Sequence, residues 1–329
     1  MITPAFGLTA TERVLPRLAL DFTTASLDPR ITLTRTTGAS NPATYIDSSG
    51  VITAATNNQP RFDYDPVTLV CKGLLIEESR TNSLLNADLL STQIVTVTAA
   101  IRTLSFYGTG SVTLSGAHTA VVSGTGAYPT RTTYSFTPTA GALTLTVAGT
   151  VQYAQLETGA FPTSYIPTTT AALTRNADVA TMTGTNFSDW FNASEGTFVA
   201  SATTPNNISV FRPFFYVSDN TTSNVIGVGQ TTGGVQSFAV LTGGALQASL
   251  TSTTITGTTS AMSGTYKANN FKMSVNGNSI VSDAAGTVPT LTQMQIGQDK
   301  SSRWLCGAIQ SIYYFPLQLT NGELQAFSK

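Results

Sequence analysis

The residues of this chain best suited to bind a ligand are two tryptophans that stand beside charged side chains. Trp304 follows Arg303 in a segment that also contains Asp299, and Trp190 follows Asp189. A sugar ring stacks its apolar face on an aromatic side chain while neighbouring polar groups bond its hydroxyls, so each pair is a minimal glycan site. We therefore predict glycan contacts at all five residues. The alternative is that each tryptophan fills the end of a hydrophobic core.

No catalytic constellation accompanies these residues. His118 is the single histidine, in a loop between two short strand-like runs, where such a side chain is usually solvated. Glu77 and Glu78 are adjacent and would point to opposite faces of a strand, which does not suit the paired carboxylates of glycoside hydrolysis. With Arg80 they indicate a structural clamp. The sequence predicts no enzyme activity, no catalytic residue and no cofactor.

Metal binding is not indicated either. Asp63 and Asp65 would share one face of a strand, but Asp65 precedes Pro66, a pattern typical of a turn. Isolated loop acids such as Asp219 and Asp299 could contribute oxygen ligands to calcium, yet they are more often simply solvated. No Cys/His cluster is present, so we predict no metal site.

The composition limits the classes of partner. Charged residues make up 10% of the 329 residues, against roughly 25% in average globular chains. A formal net charge of -1 argues against nucleic acid held by a basic surface. No apolar run approaches the roughly 18 residues of a membrane span, so we expect no membrane partner. No leader pattern is visible at Met1, and we expect synthesis in a bacterial cytoplasm followed by transport on a particle.

Short strand-like runs dominate the chain. Seven of them between residues 94 and 156 are separated by Gly, Pro or Ser at intervals typical of an antiparallel sandwich. Further runs follow after residue 196. The last 60 residues are the most informative, because Asn276-Gly277 between two extended runs predicts a type I′ hairpin. Thr320-Asn-Gly-Glu323 predicts a capped terminal helix. The predicted fold class is all-β, with two antiparallel sandwiches.

The C-terminal pattern also resembles a known family. An Asn-Gly hairpin, a strand closed by Gly297, Gly307 before a final strand, and Pro316-Leu-x-Leu-Thr-x-x-Glu-Leu324 resemble the closing half of a concanavalin A-like (LamG-like) jelly-roll domain. Upstream, the segments 13–20, 73–82 and 154–167 resemble bacteriophage virion proteins, namely tail-fibre or capsid-associated proteins with lectin-like domains. The resemblance implies a virion component.

We divide the chain into four parts on these grounds. They are an N-terminal arm and virion-anchoring segment (1–80), a small sandwich resembling carbohydrate-binding modules (81–166), a linker (167–178) and a jelly-roll domain (179–329). Within the first part, residues 1–11 form an apolar arm in which Phe6 and Leu8 are the predicted docking contacts.

The expected function follows from resemblance and elimination together. We expect a structural protein exposed on the virion surface, in a tail fibre or head appendage, that adheres to host cell-surface glycans. Its expected partners are other capsid or tail proteins and copies of itself. The resemblance implies a trimer. Two alternatives stay open: a purely structural decoration protein that binds no sugar, and a polysaccharide depolymerase that uses an acid such as Glu157 or Asp299.

Overall fold

The structure is a computed structural model that describes residues 15–35, 43–205, 210–252 and 259–329. Strands account for 49% of it and helix for 6%, which confirms the predicted all-β fold class. No helix among these residues is long and apolar enough to cross a membrane. The predicted arm at residues 1–11, with Phe6 and Leu8, lies outside the described residues.

Short strands begin near Leu18 and continue almost to the C-terminus. The first seven are β1 (Leu18–Asp21), β2 (Thr32–Thr34), β3 (Thr44–Ile46), β4 (Ile52–Ala54), β5 (Phe62–Tyr64), β6 (Cys71–Ile76) and β7 (Arg80–Asn82). The next seven are β8 (Gln93–Val97), β9 (Arg102–Tyr107), β10 (Ser111–Gly116), β11 (Ala120–Ser123), β12 (Thr132–Phe136), β13 (Gly141–Ala148) and β14 (Gln152–Thr158).

The remaining strands are β15 (Leu173–Arg175), β16 (Val179–Thr183), β17 (Glu195–Thr203), β18 (Arg212–Ser218), β19 (Val225–Gln230), β20 (Gln236–Thr242), β21 (Ala245–Thr251), β22 (Thr259–Lys267), β23 (Phe271–Val275), β24 (Val281–Asp283), β25 (Gln293–Ile296) and β26 (Gly307–Phe315). The helices are α1 (Thr185–Ser188) and α2 (Asn321–Phe327), with 3-10 turns at Phe22–Thr24 and Thr232–Gly234.

Two sheets form the larger sandwich. The first has the order β24-β23-β22-β17-β26-β6-β5, with β1 also paired to β26, and the second has the order β2-β16-β25-β18-β19-β20-β21. A single apolar core lies between them, to which Phe198 and Ile312 contribute from the first sheet and Phe215 and Met294 from the second. Alternating side chains of facing sheets produce such a core.

The C-terminal signals fold as predicted. Asn276 and Gly277 have φ values of 49° and 72°, the positive pair that a type I′ turn requires. Thr320 caps α2 and forms a capping box with Glu323. The helix buries Leu324 against the outer face of the first sheet.

The smaller sandwich uses all seven strands predicted between residues 94 and 156. One sheet has the order β11-β10-β13-β8 and the other β12-β9-β14. Leu104, Leu114 and Leu145 are fully buried between them. This sandwich has its own core.

The N-terminal segment differs from the expected division of the chain. Strands β1, β5 and β6 belong to the first sheet of the larger sandwich, and β2 pairs with β16 of the second. These four strands of segment 1–80 are thus built into the fold that we assigned to residues 179–329. The physical reason is that Leu18, Leu20 and Leu74 alternate into the same core.

Residues 167–178 also differ from a free linker. β15 pairs with β7 in register from Leu173 opposite Asn82 to Arg175 opposite Arg80. The side chains of Arg175 and Asp178 are buried. The paired backbone and the buried charged side chains hold this segment in place. Its proline- and threonine-rich beginning, by contrast, is typical of a linker.

Candidate functional site

Trp190, one of the two predicted stacking residues, is a core residue. Its side chain is 1% exposed and makes edge contacts with Phe187 and Tyr314 at centroid distances of 4.9 and 5.0 Å. No face of its ring is open to a sugar, so the core alternative holds for Trp190. The neighbouring Asp189 is exposed, but Trp190, the aromatic partner that a glycan site there needs, is not accessible.

The other predicted residues do come together, in a loop closed by internal bonds. Asp299 binds Arg303 through two charged contacts of 2.6 Å and also accepts backbone N–H bonds from Ser301 and Arg303. The Arg303 guanidinium lies over the Phe211 ring at 5.2 Å. Trp304 is half-buried, and its Nε1 donates to the Asp178 carbonyl at 2.8 Å. The acid and the indole N–H are therefore already engaged.

A buried ion cluster joins the N-terminal strands to the segment after the small sandwich. Arg61 donates to Glu77 at 2.7 Å and to Asp178 at 2.5 Å. Arg35 pairs with Asp178 at 2.7 Å, and Arg175 lies 3.1 Å from Glu77. Burial alone raises the pKa of the Glu77 carboxyl, but the charges of Arg175 and Arg61 outweigh it and lower the pKa to about 2.

The segments 73–82 and 154–167, both singled out in the sequence, meet at this cluster. Ser164 of segment 154–167 donates its backbone N–H and its hydroxyl to Glu77 of segment 73–82, each at 2.7 Å. Glu78 pairs with Arg80, as predicted for a structural clamp. These two segments therefore hold the molecule together.

Beside the cluster lies a cavity of about 230 Å³ between the β3–β4 hairpin and the small sandwich, which we call the tyrosine cleft. Its lining includes three tyrosines and four charged side chains, namely Tyr45, Asp63, Lys72, Glu77, Tyr107, Arg131 and Tyr165. Aromatic walls with a few polar groups are the usual make-up of a small-ligand site.

The aromatic wall of the tyrosine cleft continues behind its lining. Tyr107 touches Tyr128 and Tyr153 at 5.2 and 6.1 Å between centroids, and Tyr153 touches Tyr165 edge-on at 5.2 Å. Tyr153 sits at a bulge of β14 with φ of 48°, a left-handed conformation that a tyrosine adopts at some cost. The bulge thereby aims Tyr153 at its aromatic neighbours.

Two tyrosine hydroxyls of the cleft have no hydrogen-bond partner among the described residues. The Tyr165 hydroxyl donates to Asp88, whereas the hydroxyls of Tyr45 and Tyr107 bond to no residue in the described ranges. Tyr107 is only 7% exposed, and burial raises the pKa of its phenol. The hydroxyl oxygen itself keeps access to solvent, so water or a ligand can bond it.

The charged side chains at the cleft differ in whether they form an ion pair. Lys72 and Asp63 form an ion pair of 2.5 Å. Arg131 donates to two neutral acceptors, the Thr163 carbonyl and the Ser105 hydroxyl, each at 2.8 Å. Its guanidinium lies 5.9 Å from the centre of the Tyr107 ring. It forms no ion pair with any residue that the structure describes.

Sequence reasoning missed Tyr45, Lys72, Tyr107 and Arg131. One signal is available, since Arg131 is the only residue carrying a formal charge between Arg102 and Glu157. A single charged residue in a long neutral stretch indicates a specific role for that residue. The proximity of Tyr45 to Tyr107 depends on long-range packing and could not be inferred.

The depolymerase candidates lie elsewhere. Glu157 is buried and accepts hydrogen bonds from Thr163 and Gln155, and Asp299 is bound to Arg303. Neither residue lines the tyrosine cleft. Over the described ranges, no three or more His, Cys, Asp or Glu side chains are grouped to hold a metal ion.

Comparisons with known proteins give a distant structural likeness. No family model and no curated protein matches the sequence. The CBM40 module of the Ruminococcus gnavus IT-sialidase, bound to α2,3 sialyllactose, is 15% identical with a TM-score of 0.36, over 42% of this chain and 83% of that one.

Two further solved structures show the same level of likeness. The NanB sialidase of Streptococcus pneumoniae is 14% identical with a TM-score of 0.38, over 44% of this chain and 26% of that one. The SAP-like pentraxin of Limulus polyphemus is 10% identical with a TM-score of 0.34, over 42% of this chain and 70% of that one. At these values the likeness does not inform function.

Proposed function

We propose that this chain is a structural accessory protein on the surface of a bacteriophage virion, in a tail fibre or head appendage, and that it adheres to host glycans through the tyrosine cleft. It acts by binding and not by catalysis. The observation that carries the adhesive part is the cleft itself, in which Tyr45 and Tyr107 have hydroxyls without partners among the described residues.

Glycan binding fits the chemistry of this site. Saccharides offer an apolar ring face to an aromatic side chain and a rim of hydroxyls to polar groups. Tyr45 is half-exposed and contacts no other aromatic ring within the described residues, so no neighbouring ring competes with a sugar for stacking on it. Lys72, with 38% of its side chain exposed, can donate to a sugar hydroxyl while it remains paired with Asp63.

Weak binding at each cleft suffices on a particle. Several copies of the chain, as in the trimer that the resemblance implies, raise the overall avidity without any new contact. The virion location is supported by the resemblance of segments 13–20, 73–82 and 154–167 to virion proteins.

A purely structural decoration protein is the second candidate, and one observation favours it. The turn after β5 presents Val67, Leu69 and Val70 with 73%, 48% and 62% of their surface exposed. Leu69 holds a φ of 58°, a left-handed conformation that is uncommon for leucine. Exposed apolar side chains on a fixed turn suit a protein contact, and this turn lies in the segment 1–80 that we propose as the virion anchor.

Adhesion is tested with the purified full chain and host cells. We expect the wild type to sediment with the cells, and Tyr45→Ala to reduce the bound fraction by about tenfold, since loss of one stacking residue costs on the order of 1.4 kcal/mol. Tyr313→Ala, which removes a half-buried tyrosine of β26 outside the cleft, is the matched control.

Absence of wild-type binding would leave the decoration function. Binding reduced equally by both tyrosine variants would exclude the cleft as its site. Immunogold labelling of particles from an infected culture tests the virion location, and unlabelled particles would overturn it.

A further inference from the structure

We propose that the ligand of the tyrosine cleft is an acidic saccharide whose carboxylate pairs with Arg131. This inference rests on the proposed glycan-binding function and specifies its ligand class. The balance of charge around the cleft supports it.

Cationic groups outnumber anionic ones beneath the cleft. The guanidinium groups there are those of Arg35, Arg61, Arg131 and Arg175, and the carboxylates are those of Glu77, Glu157 and Asp178. Thr163 connects the members on the cleft side, because it donates to Glu157 and accepts from Arg131 and Arg175. One positive charge is left without a counterpart among the described residues.

Arg131 is the one guanidinium of this group that forms no ion pair among the described residues. The other three each contact a carboxylate within 3.1 Å, whereas Arg131 donates hydrogen bonds to a carbonyl and a hydroxyl and acts on the buried Glu157 carboxyl only at longer range, where its charge favours a lower pKa. The pair of Lys72 and Asp63 is self-contained and adds no net charge. A partly buried cation in a low-dielectric site gains most from a carboxylate that approaches from the open side.

The surroundings of Arg131 suit a sugar acid in particular. Nη1 and Nη2 of Arg131 each keep a second N–H beyond the ones bonded to Thr163 and Ser105, and Tyr107, whose ring centre lies 5.9 Å from the guanidinium, offers a hydroxyl donor in the same cleft. Tyr45 supplies a ring face for the sugar. A simple inorganic anion would leave this aromatic wall unused.

The test uses polysaccharide extracted from the host surface, before and after chemical reduction of its carboxylates to alcohols. We expect the full chain to bind the reduced material about tenfold more weakly than the native material. Arg131→Gln should lose about tenfold on the native polysaccharide and nothing further on the reduced one. A purely structural role of Arg131 would weaken both equally.

Arg102→Gln is the matched control, since Arg102 also lies in the small sandwich but does not line the cleft. Equal binding of native and reduced polysaccharide would overturn the acidic ligand while leaving glycan adhesion intact. Absence of binding to native polysaccharide would overturn the adhesion proposal itself, so the two failures are distinguishable.

Discussion

The loop around Trp304 and the tyrosine cleft both combine aromatic rings with charged side chains, but they differ in what is left unpaired. In the loop, Asp299 binds Arg303 and backbone N–H groups, and Trp304 donates to Asp178. In the cleft, Tyr107 keeps a hydroxyl with no partner among the described residues, and Arg131 forms no ion pair there. Residue type alone therefore does not make a site. A binding site also needs accessible polar groups that are not already paired within the protein.

Arg61→Ala should give the largest effect, because Arg61 holds one wall of the cleft to the rest of the molecule. It would leave Glu77 and Asp178 buried with too little positive charge, at a cost of about 3–5 kcal/mol in the free energy of unfolding. Denaturant unfolding monitored by circular dichroism measures this. A loss below about 1 kcal/mol would show that the ion cluster does not hold the cleft together.

Acid should weaken the cleft wall through protonation of Glu77. The pKa of Glu77 is about 2 in the folded chain against an ordinary value of 4.5, so its contribution is present above pH 4.5 and is lost as the pH falls towards 2. The contribution is on the order of 3 kcal/mol. Glu77→Gln should lower stability at pH 7 and flatten the decline between these pH values. Parallel pH profiles of variant and wild type would contradict this.

Asp299→Ala should open the loop and leave ligand binding unchanged. Loss of the ion pair with Arg303, whose side chain is 37% exposed, is expected to cost about 1–2 kcal/mol after solvent screening. Thermal unfolding and a glycan titration measure the two effects. Reduced affinity without reduced stability would restore the loop as a ligand site.

Tyr107→Phe should have the smallest effect on stability and a clear one on binding. The hydroxyl has no partner in the described structure, so its removal should change the free energy of unfolding by less than about 0.5 kcal/mol. A lost hydrogen bond to ligand corresponds to about 0.5–1.5 kcal/mol, a two- to tenfold weaker affinity. Unchanged affinity would mean that the hydroxyl faces only water.

The local parts of the fold could be predicted from sequence. The turn at Asn276-Gly277, the capping box at Thr320 and the seven strands of the small sandwich depend on neighbouring residues, and the structure confirms them. The placement of β1 beside β26 could not be predicted, because it joins residues nearly 300 positions apart through core packing.

The same limit applies to the sites. An aromatic residue next to an acid was visible for Trp190, but its burial depends on Phe187 and on distant Tyr314. The tyrosine cleft gathers residues from five separated stretches of chain. Only the isolated charge of Arg131 marked it in the sequence.

The most direct test of the central claim is a crystal structure of the full chain soaked with an oligosaccharide from host-surface polysaccharide. We predict density for the sugar in the tyrosine cleft, stacked on Tyr45 and within hydrogen-bond distance of the Tyr107 hydroxyl. Density against Trp304 and Arg303 instead, with the cleft filled only by water, would contradict this account.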